Sequence, residues 1–165
     1  MKKDTQYVLF MGNPTDPNKN VALVQEAMQY VKRDKVELLV PYPVSHDTVV
    51  KYLNSADVFT LCSFSEGSPN IVKEAMSCNR PMVVTPAGDA AWLVEGAEGS
   101  YVSGYDPKDF GEKLNLALDY AAEHKLTQGR ERIHELGLDA VTIARRIIDL
   151  YYQVSGKEKL SPSVN

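Results

Sequence analysis

The stretch ADVFTLCSFSEGSPNIVKEAMSCNRPMVVT, residues 56–85, reads as a strand, a loop, a helix and a second strand in immediate succession. Ala56-Asp57-Val58-Phe59-Thr60-Leu61 leads into a short apolar strand, and SFSEGSP forms the loop at its carboxyl end. Ser68 and Pro69 suit the N-cap and first helical position, because proline has no N–H to lose there. The helix then runs to about Ser77, and residues 81–85 make the next strand.

The same alternation repeats on both sides. Upstream, residues 7–11 form an apolar run closed by GNPTDPN, and Val21, Val24, Ala27, Met28 and Val31 recur at helical spacing behind Asn20 in the cap position. Residues 36–40 are a strand stopped by Pro-Tyr-Pro, and Asp47 is placed to cap a helix carrying Val49, Val50 and Leu53. Downstream come a loop with a short helix (86–96) and a weak strand near residues 100–104. A strong amphipathic helix follows over 106–125, with Phe110, Leu114, Leu118 and Ala121 on one face. A short basic helix over 129–136, read as a solvated face, precedes a last helix that Asp139 caps and that bears Ile143, Ile147 and Leu150. Tyr151 and Tyr152 read as packing at its end.

Short apolar strands alternating with amphipathic helices predict an α/β fold: a Rossmann-like, doubly wound parallel sheet of about five strands with helices on both faces. One domain is expected over residues 1–154, followed by a flexible polar tail over 155–165. The chain has 165 residues, 44% hydrophobic and 24% charged, enough for one substantial core. Its 18 basic and 22 acidic residues leave a net charge of -4, so no basic field awaits a nucleic acid. Cys62 and Cys78 belong to no metal or redox spacing and read as reduced, mostly buried small hydrophobes. His46, His124 and His134 each stand alone, and no metal site or Ser-His-Asp set is expected. No apolar run approaches the roughly 20 residues of a membrane span, and the opening residues are too short for a secretory signal. The chain as given reads as cytoplasmic.

Open parallel sheets bind ligands outside the carboxyl ends of their strands. Here those ends are the loops GNPTDPNKN, SFSEGSPN and TPAGDAAW. The helix starting near Pro69 offers unpaired N–H groups from Asn70, Ile71 and Ser68, together with the positive end of its dipole, which suits a phosphate. Lys19 closes the first loop and can reach the same anion. Glu66, being acidic, should address something neutral or cationic such as sugar hydroxyls. Glu74 lies beside Asn70 at i, i+4 spacing, where its carboxylate can accept from a ribose diol. The residues alone leave a second reading open, in which Glu74 is a solvated face residue, Glu66 a loop charge and Lys19 a surface charge.

Glu66-Gly-Ser-Pro-Asn-Ile-Val-Lys-Glu74-Ala-Met, followed by Arg80-Pro81-Met-Val-Val-Thr85 and Gly88, resembles the E-x7-E signature and trailing segment of the group 1 (family 4) glycosyltransferases of the GT-B fold. Gly12, Lys19, Ala56-Asp57-Val58, Ser63 and the closing Leu150-Tyr151 extend the resemblance over residues 7–154. It implies that this is the C-terminal, donor-binding half of such an enzyme, without its N-terminal acceptor-binding domain and inactive alone. By the same resemblance, Glu74 would hold the ribose of a nucleotide sugar such as a UDP- or GDP-sugar. Glu66 would be the catalytic carboxylate beside the donor sugar. Lys19, Asn70 and Ile71 would hold the diphosphate, with Gly12, Asn13, Ser68 and Gly88 completing the donor site.

The family transfers a sugar with retention and generally without an essential metal, so no cofactor is expected; the missing domain could bring the protein to the inner membrane. The chain departs from the family in three places. Asn13 stands where an arginine is usual, residues 31–57 hold one strand and one helix where many members have more, and Trp92 replaces a frequent glutamate. Two other classes stay open: half of a GT-B nucleotide-sugar epimerase, and a non-catalytic nucleotide-binding or interaction domain.

Overall fold

The computed structural model describes Lys2 and residues 4–156. Five strands, β1 (Gln6–Phe10), β2 (Val36–Leu39), β3 (Val58–Leu61), β4 (Met82–Val84) and β5 (Ser100–Val102), form one parallel sheet in the order β2-β1-β3-β4-β5. Register is continuous through its centre, with Phe10 opposite Thr60 and Leu61 opposite Val84. The helices are α1 (Val21–Ala27), α2 (His46–Ser55), α3 (Asn70–Ser77), α4 (Ala90–Val94), α5 (Pro107–His124), α6 (Gly129–Glu135) and α7 (Ala140–Ser155).

The strands are apolar on both faces because both are covered. Along β1 the alternation sends Tyr7 and Leu9 into one core and Val8 and Phe10 into the other. The first core joins Leu9, Phe59 and Met82 to Leu53 of α2, Met76 of α3, Leu93 of α4 and Ile133 of α6. The second joins Val8, Val58 and Val83 to Val24 of α1 and Phe110, Leu114 and Leu118 of α5. Each such large side chain, fully buried, contributes about 1.5–3 kcal/mol, so the two cores outweigh any exposed ion pair in this chain.

Helix α5 shows how local sequence feeds this packing. Asp106 caps it by accepting from the Asp109 N–H at 2.8 Å, and Pro107 occupies the first helical position. Phe110, Leu114, Ala117, Leu118 and Ala121 then form one buried stripe. Gly111 lets α5 lie close on α1, since a Cβ there would stand 2.7 Å from the Ala27 carbonyl oxygen.

Several local expectations need correction. Asp139 does cap α7, accepting from Val141 and Thr142, and the bonds from Thr142, with His134 nearby, hold its carboxyl down at about 2. Asp47, by contrast, lies in the first turn of α2, whose N-cap is Ser45. Asn20 precedes α1 in a left-handed conformation and makes no side-chain cap. Helix α6 is more than a solvated face: Ile133 is buried and Arg130 donates to the Ser77 carbonyl at the end of α3. Helix α7 buries no residue at all, and Tyr151, read as a packing residue, is 70% exposed. It ends at Ser155 with Gly156 as its cap, so the rest of the expected tail, 157–165, lies outside the described residues.

Candidate functional site

After β1 the chain crosses to β2 on one side, and β3 then lies on the other side of β1. This is the point where strand order reverses, and a crevice opens there beyond the carboxyl ends. The loop after β1 supplies Lys19 and the loop after β3 supplies Glu66. The two side chains meet across a gap of 47 residues in sequence, with Lys19 Nζ 2.6 Å from Glu66 Oε1. Sequence reasoning named both residues but not their contact, because nothing local signals a pairing between loops so far apart.

The pair is largely sheltered, the lysine side chain 30% and the glutamate 17% exposed. Burial works to raise the Glu66 pKa, but the Lys19 hydrogen bond, the Ser63 hydroxyl and the Lys19 charge together outweigh it. The carboxyl is therefore held below its ordinary range.

Helix α3 begins one residue later than expected. Pro69 is the N-cap, with extended ψ of 110°, and its carbonyl accepts from Val72 at 3.2 Å; Ser68 lies outside the helix and caps nothing. The first two N–H groups, Asn70 and Ile71, precede any intrahelical acceptor. Both residues line a cleft of about 340 Å³ that also contains Gly12, Lys19, Glu66 and Glu74. Its far wall is apolar, from Pro41, Tyr42 and Val44 in the loop after β2. No hydrogen bond or ion pair to the Glu74 carboxylate occurs among the described residues, so its acceptor capacity is open. A second hollow of about 610 Å³, between α2, α3 and α6, shares Asn70 and Glu74 with the cleft. The larger one is lined by His46, Lys73, Arg130, His134 and Asp139, and the smaller one holds the Lys19–Glu66 pair at the carboxyl ends of the strands.

Three expected site residues do not line this cleft. Asn13 turns its Oδ1 back to accept from the backbone N–H and hydroxyl of Thr15, at 3.0 and 2.9 Å, so it shapes its own loop. Ser68 is exposed beyond the helix start. Gly88 acts from behind: at φ +60°, a Cβ on it would stand 2.1 Å from the Gly67 carbonyl oxygen and 2.6 Å from that of Glu66. Together with the Asp89 N–H bond to Gly67 at 3.1 Å, this seats the Glu66 loop.

Other single residues fall as follows. Cys62 and Cys78 are both unpaired; burial pushes the Cys62 thiol up to about 12. His134 stands 3.5 Å from Asp139 and is thus not without an acidic neighbour, and Trp92 is half exposed on α4. No helix among the described residues is long and apolar enough to cross a membrane.

An open parallel α/β domain with five strands in this order and helices on both faces is the fold shared with GT-B glycosyltransferases. The family model described as "Glycosyl transferases group 1" matches residues 40–119, a span that includes both glutamates. Among curated proteins, the N,N'-diacetylbacillosaminyl-diphospho-undecaprenol alpha-1,3-N-acetylgalactosaminyltransferase of Campylobacter jejuni is 29% identical over 117 residues, 70% of this chain and 31% of that protein. D-inositol 3-phosphate glycosyltransferase 2 of Catenulispora acidiphila is 31% identical over 94 residues, 56% of this chain and 22% of that protein. The chain thus spans about a third or less of these two relatives.

Among solved structures, sucrose-phosphate synthase from Thermosynechococcus elongatus superposes with a TM-score of 0.81 at 20% identity, over 94% of this chain and 47% of that one. HepE of Anabaena in complex with UDP gives 0.74 at 16% identity, over 90% of this chain and 49% of that one. These likenesses establish the shared fold. Over residues 40–119, just under half of its length, the chain is similar to the group 1 glycosyltransferases.

Proposed function

We propose that this chain is the donor-binding lobe of a retaining glycosyltransferase, which binds a nucleotide sugar and passes a hexose-type sugar to an acceptor held by a second lobe. The observation that carries this reading is the convergence of Lys19, Glu66, the open N–H groups of Asn70 and Ile71, and Glu74 on one cleft. The spacing suits a nucleoside diphosphate. Its charge meets Lys19 and the positive end of α3, its ribose hydroxyls donate to Glu74, and its base lies on the apolar wall of Pro41, Tyr42 and Val44. Glu66 is then left beside the sugar at the leaving-group end.

On this reading Lys19 exchanges Glu66 for the diphosphate as the donor enters. Lysine and helix dipole together stabilise the departing diphosphate where charge develops, so the lobe supplies that stabilisation from its own groups without a metal ion. The likeness to structures such as HepE, solved with UDP and with UDP-glucose, supports trying uridine donors first. The exposed apolar face of α7 suits a second lobe, and two unpaired cysteines suit the reducing cytoplasm.

The test is a thermal-shift and NMR titration of the chain with UDP, GDP, ADP and their sugars, beside Glu74→Ala. A nucleotide at 100 times its Kd should add about 2.7 kcal/mol of stability. One nucleotide should selectively shift the resonances of Lys19, Glu66 and residues 70–74. Glu74→Ala should weaken binding roughly tenfold, the scale of one hydrogen-bonding charged group, and leave the free protein's melting unchanged. Silence with every nucleotide, or equal binding by the variant, would sink the donor-site reading and favour an interaction module.

A further inference from the structure

We propose that Asn18 is a positioning residue that locks the Glu66 loop to the Lys19 loop, so that the two charges keep one spacing while the donor is exchanged between them. This rests on the reading of the cleft given above. Every polar group of Asn18 is engaged. Its backbone N–H donates to Asp16 Oδ1 at 2.9 Å, which fixes it in the short 3-10 turn Pro17–Lys19. Its backbone carbonyl accepts from the Phe64 N–H at 2.9 Å. Its side chain then pairs with Ser65 in both directions, Nδ2 donating to the Ser65 carbonyl at 2.9 Å and Oδ1 accepting from the Ser65 N–H at 3.1 Å.

The result is a short ladder between loops, made by one residue that stands directly before Lys19 and holds the residue directly before Glu66. An asparagine side chain can donate and accept at once in this way, and neither aspartate nor serine can replace both bonds.

The energetics separate positioning from support. Ser65 is exposed, so water replaces its two lost bonds in Asn18→Ala and the fold loses little. The main-chain bond from the Phe64 N–H to residue 18 remains, and what is lost is the pair of side-chain bonds that fixes Ser65, and Glu66 after it, against the Lys19 loop. Gly88 and Asp89 still seat the Glu66 loop from the far side, so the slack falls on the Lys19 side, at Ser65. The groups that set the Glu66 charge are Lys19 and the Ser63 hydroxyl in contact, with Glu74 of α3 in the same cleft and Asp89 on the loop behind.

The experiment follows the Glu66 carboxyl carbon by NMR across pH in the full chain, for the native protein, Asn18→Ala and Asn18→Gln, with thermal melts and UDP titrations alongside. Asn18→Ala should raise the Glu66 midpoint toward the ordinary carboxylate value, speed exchange of the Ser65 amide and weaken UDP binding on the order of tenfold, at unchanged melting temperature. Asn18→Gln keeps an uncharged amide on a longer arm and should fall between, and it decides the matter if the alanine variant does not fold. A Glu66 midpoint identical in native and variant chains overturns the proposal. Failure of the native chain to bind UDP would count against the donor reading alone, since the carboxyl titration reads the lock without any nucleotide.

Discussion

Lys19 and Glu66 neutralise one another in the unliganded cleft, and this gives their contact a pH signature. Because the Glu66 pKa is lowered on folding, its contribution to stability is complete above the unfolded value of about 4.3 and is lost as pH falls through the lower folded value. Lys19→Met removes the largest counterweight, the Lys19 hydrogen bond, together with the lysine charge, and leaves the Ser63 hydroxyl alone against burial. The Glu66 pKa should then rise, and thermal melts at a series of acid pH values should show a shallower fall in stability below about pH 5 than in the native chain. An unchanged acid limb would mean that the pair carries no weight in solution. Gly88 makes a different kind of prediction. In Gly88→Ala the Cβ must displace both the Gly67 and the Glu66 carbonyl, and the alanine must hold a left-handed φ. Denaturant melts should show a loss of about 1–3 kcal/mol, with the Glu66 resonances displaced although residue 88 does not line the cleft.

The elements differ in how well their neighbours could be read. Strands β1, β3 and β4 and helix α5 were plain in the sequence because an apolar period of 2 or 3.6 implies burial, and both faces of the sheet are in fact covered. The start of α3 was misplaced by one residue, since proline satisfies the φ of a first helical position while its ψ here remains extended. Helix α7 shows the limit of periodicity: Ile143, Ile147 and Leu150 have the pattern of a core-facing stripe, yet Ile143 is only half-buried and the other two are 48% and 58% exposed. The pattern records that a stripe wants cover, not that this chain supplies it. Ile147→Lys and Leu150→Glu should therefore each change stability by no more than about 0.5 kcal/mol in thermal melts, and should reduce any concentration-dependent association seen by sedimentation. A large loss of stability would show that α7 packs inward after all.

At the scale of the whole molecule, the composition and alternation were sufficient for an open parallel sheet, and the switch-point rule was sufficient to point to its carboxyl end. What stayed hidden was the traffic between loops. Asn18 carried no motif and was passed over, Asn13 looked like a ligand and serves its own turn, and Gly88 contributes by having no side chain. Such relations depend on which strands are neighbours, and that is decided by the fold as a unit. Glu66 is seated from one side by the loop after β1 and from the other by the loop after β4, while β3 itself runs between those two strands. A chain whose β3 had paired one residue out of step would turn its side chains to the opposite faces and bring Ser65 past Asn18, keeping its helices while losing the cleft. Occupancy by a nucleotide would then work as an assay of correct assembly, separating finished molecules from compact impostors that circular dichroism would count as folded.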